Sequence, residues 1–411
     1  MEENREIGIV EQATLKQLAD DPLRNIFHRL PSDPRTFAFV SAAFKAWRRV
    51  VHDEDNFLRP FRAAQSKPPP FLGFFSDAGY GQLQFTPSTN SDVVNLPAPP
   101  PLFHPYGCTH GRLLLHDNNG ELLLVWDPLT GDQHRIPSPP PGFHPRHSCG
   151  AAPVCAADHA NHGDCHSSPF RVVFAYSEDV PPGGWHAPMA PVHTFVCVYN
   201  SETRSWGGRP VATISAGNYF HWKPSAVSRD GAAVYWMTQV GEDSFVLEFH
   251  LETKRLQLIH APEDIRHENF VLAPTMDGRL GLATLEDDTV AVLFSGVDGA
   301  WAGRAIVRLH EFIPFHAAAA EYEHGGHGFL TFQIGHSDSD DEYEHGGGFL
   351  PWVVGFSQEL NSIFLQAEPG LYIINIESGQ HQRVLETDQH LFFVYPYSSF
   401  YTSGIISSHL L

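Results

Sequence analysis

WDPLTGDQHRI, residues 126–136, reads as the end of one β-strand, a polar turn and the start of the next. An apolar run stops at Trp126, Asp, Thr and Gly supply turn chemistry, and Ile136 resumes the strand pattern. The same grammar returns in YNSETRSWGG (199–208), FHLETKRLQLI (249–259) and INIESGQHQRV (374–384). Aligned on Thr130, Thr203, Thr253 and Ser378, the four units are spaced by 73, 50 and 125 residues. An insertion fits inside the first gap, and the last leaves room for two further units.

Working outward, short β-branched or aromatic runs bounded by Gly, Asp, Asn or Pro fill the chain from residue 71 on. They are 71–75, 112–116, 121–126, 170–176, 193–199, 232–237, 245–251, 279–285, 289–294, 362–367 and 370–376. A strand-turn-strand unit at a period of ~40–50 residues is the sequence pattern of a β-propeller. About six blades are expected, with LFFVYPYSSF (391–400) pairing back to close the ring, because a closed sheet leaves no edge. A pair of β-sandwiches is the competing architecture, since strand spacing alone supports either. The Pro-rich stretches 97–101 and 137–141 fall between units as connections.

Composition agrees. Hydrophobic residues make up 42% of the 411 and charged ones only 18%, with 34 Gly and 33 Pro, which favours many turns and short strands over long helices. The formal net charge of -21 sets the chain against phosphate backbones and anionic lipid heads, so neither nucleic acid nor membrane is expected as a partner. Five irregularly spaced cysteines do not form a disulfide framework, which points to a reducing compartment, cytoplasmic or nuclear. The first twenty residues are too charged for a secretory signal, and no later apolar run is long enough to span a bilayer.

The N-terminal sixth follows another rule. Residues 1–15 read as a flexible leader, 16–62 as a helical module and 63–72 as a Pro-rich linker before the β domain at 73–411. Asp21 is the expected N-cap with Pro22 at the first helical position, and Leu23, Ile26, Phe27 and Leu30 recur on one helix face until Pro31 stops it. Asp33-Pro34 repeats the start signal, and Phe37, Val40, Phe44, Trp47 and Val51 continue the apolar pattern. A unit of ~45 residues buries little surface alone, and each large apolar side chain left exposed forgoes ~1.5–3 kcal/mol. These side chains therefore need a partner surface, either another protein or the adjoining domain.

The stretch LADDPLRNIFHRLPSDPRTFAFVSAAFKAWRRVVHDEDNF, 18–57, resembles the F-box. Leu30-Pro31, Val40-Ser41 and Lys45-Ala46-Trp47 match its pattern, while the usual opening Leu-Pro is Leu18-Ala19 here. PPPFLGFF at the join, the WDPLTG turn and PFRVVFAY resemble the kelch-like or related propeller domain that follows F-boxes in large plant families, especially in grasses. The resemblance implies a non-catalytic adaptor: a substrate receptor that docks a Skp-type linker subunit and, through it, a cullin and a RING protein, for ubiquitin transfer to a protein held by the propeller. It implies a linker-docking surface of Leu18, Pro22, Leu23, Ile26, Leu30, Pro31, Val40, Ser41 and Trp47. A propeller-type sugar-binding protein or enzyme and a scaffold outside any ligase are the rival readings.

No constellation asks for catalysis or a cofactor. His144, His147, Cys149, Cys155, His159, His162, Cys165 and His166 crowd an insertion near 143–168, but zinc favours short paired spacings and no Cys-x-x-Cys occurs, so a polar inter-strand insertion is preferred. EYEHGGHGFL (321–330) recurs as EYEHGGGFL (342–350) in a second insertion, 316–349, read as an acidic surface loop. Asp127, Asp230, Asp277 and Asp298 sit in turn contexts. P-loop, dinucleotide-fingerprint, nucleophile-elbow and zinc-protease motifs are absent from the sequence.

Overall fold

A computed structural model describes residues 19–64, 69–77, 83–88, 96–117, 122–137, 149–156, 165–166, 168–177, 193–207, 210–214, 219–220, 224–240, 243–262, 270–275, 279–286, 289–296, 300–309, 351–387 and 389–400. Among them the chain forms six antiparallel sheets in a ring, a six-bladed β-propeller, preceded by short helices.

Blade 1 is built from both ends of the domain. β1 (Phe71–Asp77) pairs with β2 (Leu83–Pro87) on one side and with the last strand, β25 (Val394–Ser398), on the other. The C-terminal segment thus closes the ring, as the sequence led us to expect. Blade 2 is β3 (Phe103–Thr109), β4 (Arg112–Asp117), β5 (Leu123–Trp126) and β6 (Gln133–Ile136). Blade 3 is β7 (Cys149–Cys155), β8 (Phe170–Ser177), β9 (Thr194–Asn200) and β10 (Ser205–Trp206), with β11 (Ala212–Ile214) also on β9. Blade 4 runs from the short β12 (Tyr219–Phe220) and β13 (Ala226–Val227) through β14 (Ala233–Val240) and β15 (Asp243–His250) to β16 (Arg255–His260). Blade 5 is β17 (Phe270–Leu272), β18 (Gly281–Glu286), β19 (Thr289–Ser295) and β20 (Trp301–Arg308). Blade 6 is β21 (Trp352–Ser357), β22 (Ser362–Ala367), β23 (Gly370–Asn375) and β24 (His381–Glu386).

The repeat count came out at six by a different route from the one the spacing suggested. Among the described residues one blade, blade 5, lies between Thr253 and Ser378; residues 310–350 lie outside them. The sixth sheet is the composite blade 1.

Blade-on-blade packing explains why the strands are so apolar. A strand inside a propeller has a neighbouring blade on each face, so alternate side chains enter two different cores. β5 shows this residue by residue. Leu124 and Trp126 join a cluster with Phe75 and Leu83 of blade 1, whereas Leu123 and Val125 join one with Val172 and Phe174 of blade 3. Four more clusters repeat the arrangement around the ring, joining blades 3 and 4, 4 and 5, 5 and 6, and 6 and 1.

The repeated turns share one geometry. The Asp127 carboxylate accepts from the backbone N–H of Leu129 (2.9 Å), and Gly131 four residues on adopts φ 75°. Asn200 accepts from Glu202 N–H, followed by Arg204 at φ 52°; Asn375 accepts from Ser378 N–H, followed by Gly379 at φ 70°. Lys254, at φ 56°, holds the same place after His250. An Asx side chain opens each of the first three turns, and a left-handed residue reverses the chain into the next strand.

The helical module comprises α1 (Asp20–Phe27), α2 (Pro34–Ala43), α3 (Lys45–Val51), a π-helical turn (Glu54–Leu58) and α4 (Arg59–Ala63). This is more segmented than the three helices expected. Asp33 caps α2 as predicted, accepting from Arg35 N–H at 3.0 Å. Asp21 does not cap α1, which begins one residue earlier at Asp20 after Ala19 in extended conformation. The module's interior is a stack of aromatic rings: Phe57 lies 5.7 Å from Phe61, 6.0 Å from Phe37 and 6.2 Å from Phe27, centroid to centroid. That interior belongs to the same cluster as the blade 1 and blade 2 residues Leu72, Leu83, Leu113 and Trp126.

Candidate functional site

The nine side chains that the F-box resemblance assigned to docking divide into three groups. Leu18 lies outside the described residues. Leu23 (1% exposed) and Ser41 (0%) are interior and present no surface. Leu23 packs in the apolar core, and the Ser41 hydroxyl lies 3.3 Å from His52 Nε2 while its carbonyl accepts from Arg48 Nε at 3.0 Å, tying α2 to α3. Pro22, Ile26 (46% exposed) and Pro31 face outward, with Leu30, Val40 and Trp47 half-buried beside the core.

Trp47 rests edge-on against Phe27 (5.6 Å) and Phe44 (4.8 Å), rings of the module itself, and its indole N–H is buried without a hydrogen-bond partner. Phe39, which the sequence reading passed over, is 73% exposed on α2, with Ala42 and Ala43 exposed at the i+3 and i+4 positions beside it. The missed signal was spacing: Phe37 and Phe39 are two apart, so in a helix they cannot share the buried face. Residues 19–64 hold eight Lys or Arg against six Asp or Glu, a net of +2 in a chain of -21. The exposed apolar stripe thus sits on a locally basic stretch of an acidic protein.

A second constellation joins three parts of the propeller. Asp127 Oδ2 lies 2.7 Å from His166 Nδ1, and His166 Nε2 lies 2.8 Å from Ser399 Oγ. Asp127 comes from the β5–β6 turn, His166 from the segment between β7 and β8, and Ser399 from the end of the closing strand. Arg112 braces the middle member by donating to the carbonyls of Cys165, His166 (3.0 Å) and Ser168 (2.7 Å). The acid-imidazole-hydroxyl order is that of a charge-relay triad. Among the described residues Ser399 is 2% exposed and lines neither of the two cavities. The group acts as a clasp on the ring closure, together with Ser399 N–H donating to Pro70 O at 3.1 Å.

Around the propeller axis the inner strands bound a cavity of about 110 Å³, lined among others by Cys108, Ser225, Glu359 and Ser398. Sites for drug-sized ligands run to roughly 300–1,000 Å³, so this one suits a single side chain. Among the described residues no group of three or more His, Cys, Asp or Glu is placed to hold a metal ion. Of the crowded histidines and cysteines, Cys149, Cys155, Cys165 and His166 are described; the three cysteines form no disulfide among the described residues, and His166 is taken up by the clasp. His144, His147, His159 and His162, and the duplicated EYEHGG segments, lie outside the described residues. No helix among the described residues is long and apolar enough to cross a membrane.

The fold and the exposed helical stripe together define the class: a six-bladed propeller carrying a small helical module at its N-terminus. No family model matches the chain, and no curated protein matches it either. Solved structures do. A chain of a nidogen/laminin complex is 9% identical with a TM-score of 0.41, over 80% of this chain and 98% of that one. Regucalcin, a calcium-binding protein from Agrobacterium tumefaciens strain C58, is 10% identical with a TM-score of 0.37, over 80% of each chain. The aldose sugar dehydrogenase of Streptomyces coelicolor, in its PQQ-bound form, is 16% identical with a TM-score of 0.33, over 69% of this chain and 81% of that one. The sheet topology defines the propeller without them.

Proposed function

We propose that this chain is the substrate receptor of a Skp-cullin-F-box ubiquitin ligase and is not itself a catalyst. The observation that carries the reading is the uncovered apolar surface of the module. Pro22, Ile26, Pro31 and Phe39 stand in solvent on a unit whose core is already filled by Leu23, Phe27, Phe37 and Phe57. A small module that leaves a phenylalanine ring 73% exposed on a helix is built to have that ring covered by a partner. The F-box resemblance supplies the partner class, a Skp-type linker that brings a cullin and a RING protein, and the local excess of positive charge suits an acidic surface. The propeller then holds a protein target. The seclusion of Ser399 supports the non-catalytic half of the reading.

Co-expression with a Skp-type linker tests it. The wild-type chain is expected to co-purify with the linker, and an Ile26→Asp/Phe39→Asp double variant to lose at least about tenfold in affinity, or about 1.4 kcal/mol, with its thermal unfolding unchanged. No capture by the wild type, or equal capture by the double variant, contradicts the proposal. Adding cullin and RING protein and assaying ubiquitin transfer separates a ligase receptor from a scaffold.

A further inference from the structure

The axial cavity has a chemical bias. Inner strands β3 and β21 leave the axis through the turns at 110–111 and 358–361, and β25 ends at Ser398, so Cys108, Gln358, Glu359 and Ser398 meet at one end of the channel. Among the described residues the Glu359 carboxylate has no cationic partner; its one hydrogen bond there is from the Ser357 hydroxyl, at 3.3 Å. Among the described residues Ser398 Oγ is buried without a hydrogen-bond partner. Gln358 and Ser225 are spoken for, donating to the carbonyls of Pro274 (3.2 Å) and Ala151 (2.8 Å). The Cys108 thiol is pushed up by burial and then by the negative charges of Glu359 and Asp127, so the wall of the channel senses net negative potential.

Among the described residues a carboxylate with no cation and a hydroxyl with no partner both line a cavity of about 110 Å³, an arrangement that suits a donor carrying positive charge. That volume equals roughly four waters at ~30 Å³ each, enough for one extended side chain. A divalent metal ion would want several oxygen ligands, and the cavity offers one carboxylate. We infer that the axial cavity binds the cationic end of a lysine side chain, with Glu359 as counter-ion, Ser398 Oγ as the second acceptor and the lining side chains of Val227, Leu272 and Phe356 against the butyl stem. This deepens the receptor reading, and rests on it only for the source of the lysine, a segment of the target protein.

The probe is n-butylammonium chloride, with 1-butanol as its neutral analogue and methylguanidinium to separate lysine from arginine chemistry. Each is titrated into the full chain at constant ionic strength and followed by calorimetry. Butylammonium is expected to bind at least tenfold more tightly than butanol and than methylguanidinium, and Glu359→Gln to remove that preference while folding as judged by circular dichroism. Equal binding of butylammonium and butanol by the wild type overturns the inference without need of any variant, as does an unaltered preference in Glu359→Gln. Tighter binding of methylguanidinium overturns the lysine assignment. Linker capture is read in the same preparations: it is expected to survive Glu359→Gln, so a failure of the cavity and a failure of the docking face are seen separately.

Discussion

The helical module and the propeller fill their cores by different means. In the propeller the middle strands are covered on both faces by neighbouring blades, so SIFLQA in β22 and LLVW in β5 are buried at every residue. In the module one face of each short helix turns inward and the other meets solvent, so Phe37 is fully buried while Phe39, two residues on, is 73% exposed. A closed ring satisfies itself, whereas an open cluster of short helices leaves surface to be used by something else. Charge follows the same division: the module carries +2, and the rest of the chain the remaining deficit to -21.

Mutations can break or sharpen this contrast. Trp126→Ala removes a fully buried indole that packs edge-on against Phe75, at 5.6 Å, in the blade 1–2 core. It is expected to cost ~3–5 kcal/mol in denaturant unfolding, the largest single effect here. Leu23→Ala in the module core is expected to cost ~2–5 kcal/mol. A cost well below the Trp126 value would mark the module as the more loosely packed region.

His166→Ala leaves the buried Asp127 Oδ2 and Ser399 Oγ without their imidazole and is expected to cost ~1–3 kcal/mol. The loss should appear first as faster proteolysis of the C-terminal strand. Unchanged proteolysis there would mean that the strand is held by its ladder with β1 alone.

Acid sharpens the comparison from the module's side. His52 is held below its ordinary 6.5 by burial and then by Arg48, and His28 by burial. A histidine whose folded value is lowered takes up its proton more readily when unfolded. Its stabilising contribution is complete above 6.5 and is lost as the pH falls through that value and below. The module's helical signal is therefore expected to melt at lower temperature at about pH 5 than above 6.5, and His52→Gln to flatten that slope. The smallest effect is expected from Phe39→Ser, within ~0.5 kcal/mol in stability, because its ring has little to lose. A larger cost would show that Phe39 is already covered within the chain.

The strands richest in apolar residues were legible: all eleven runs read from the sequence fall on strands, and 362–367 coincides with β22 to the residue. The strands outside those runs are of another kind, and β6, β16 and β24 were read only as the openings that follow the repeated turns. β6 (QHRI), β16 (RLQLIH) and β24 (HQRVLE) are outer strands whose polar side chains meet solvent. β3 and β7 carry Pro and Gly that dilute the pattern, and β12 and β13 are two residues each. The exposed face of the module was half legible. Helical periodicity found Leu23, Ile26, Leu30, Val40 and Trp47 but does not say which face of a helix turns inward; the F-box resemblance assigned Leu23 and Ser41 to a surface they do not reach, and neither marked Phe39.

The sequence by itself determined the change from helical to strand periodicity near residue 71, the recurrent turns and the return of the C-terminal segment to the first blade. Each of these is local chemistry or a requirement of ring closure. Only the tertiary structure decided that the module's core runs into the blade 1–2 interface, that His166 reaches Asp127 and, across 233 residues of chain, Ser399, and that Glu359 and Ser398 line one axial cavity. Those meetings depend on how six sheets are rotated about a common axis, and neither the period nor the composition of a segment carries that rotation.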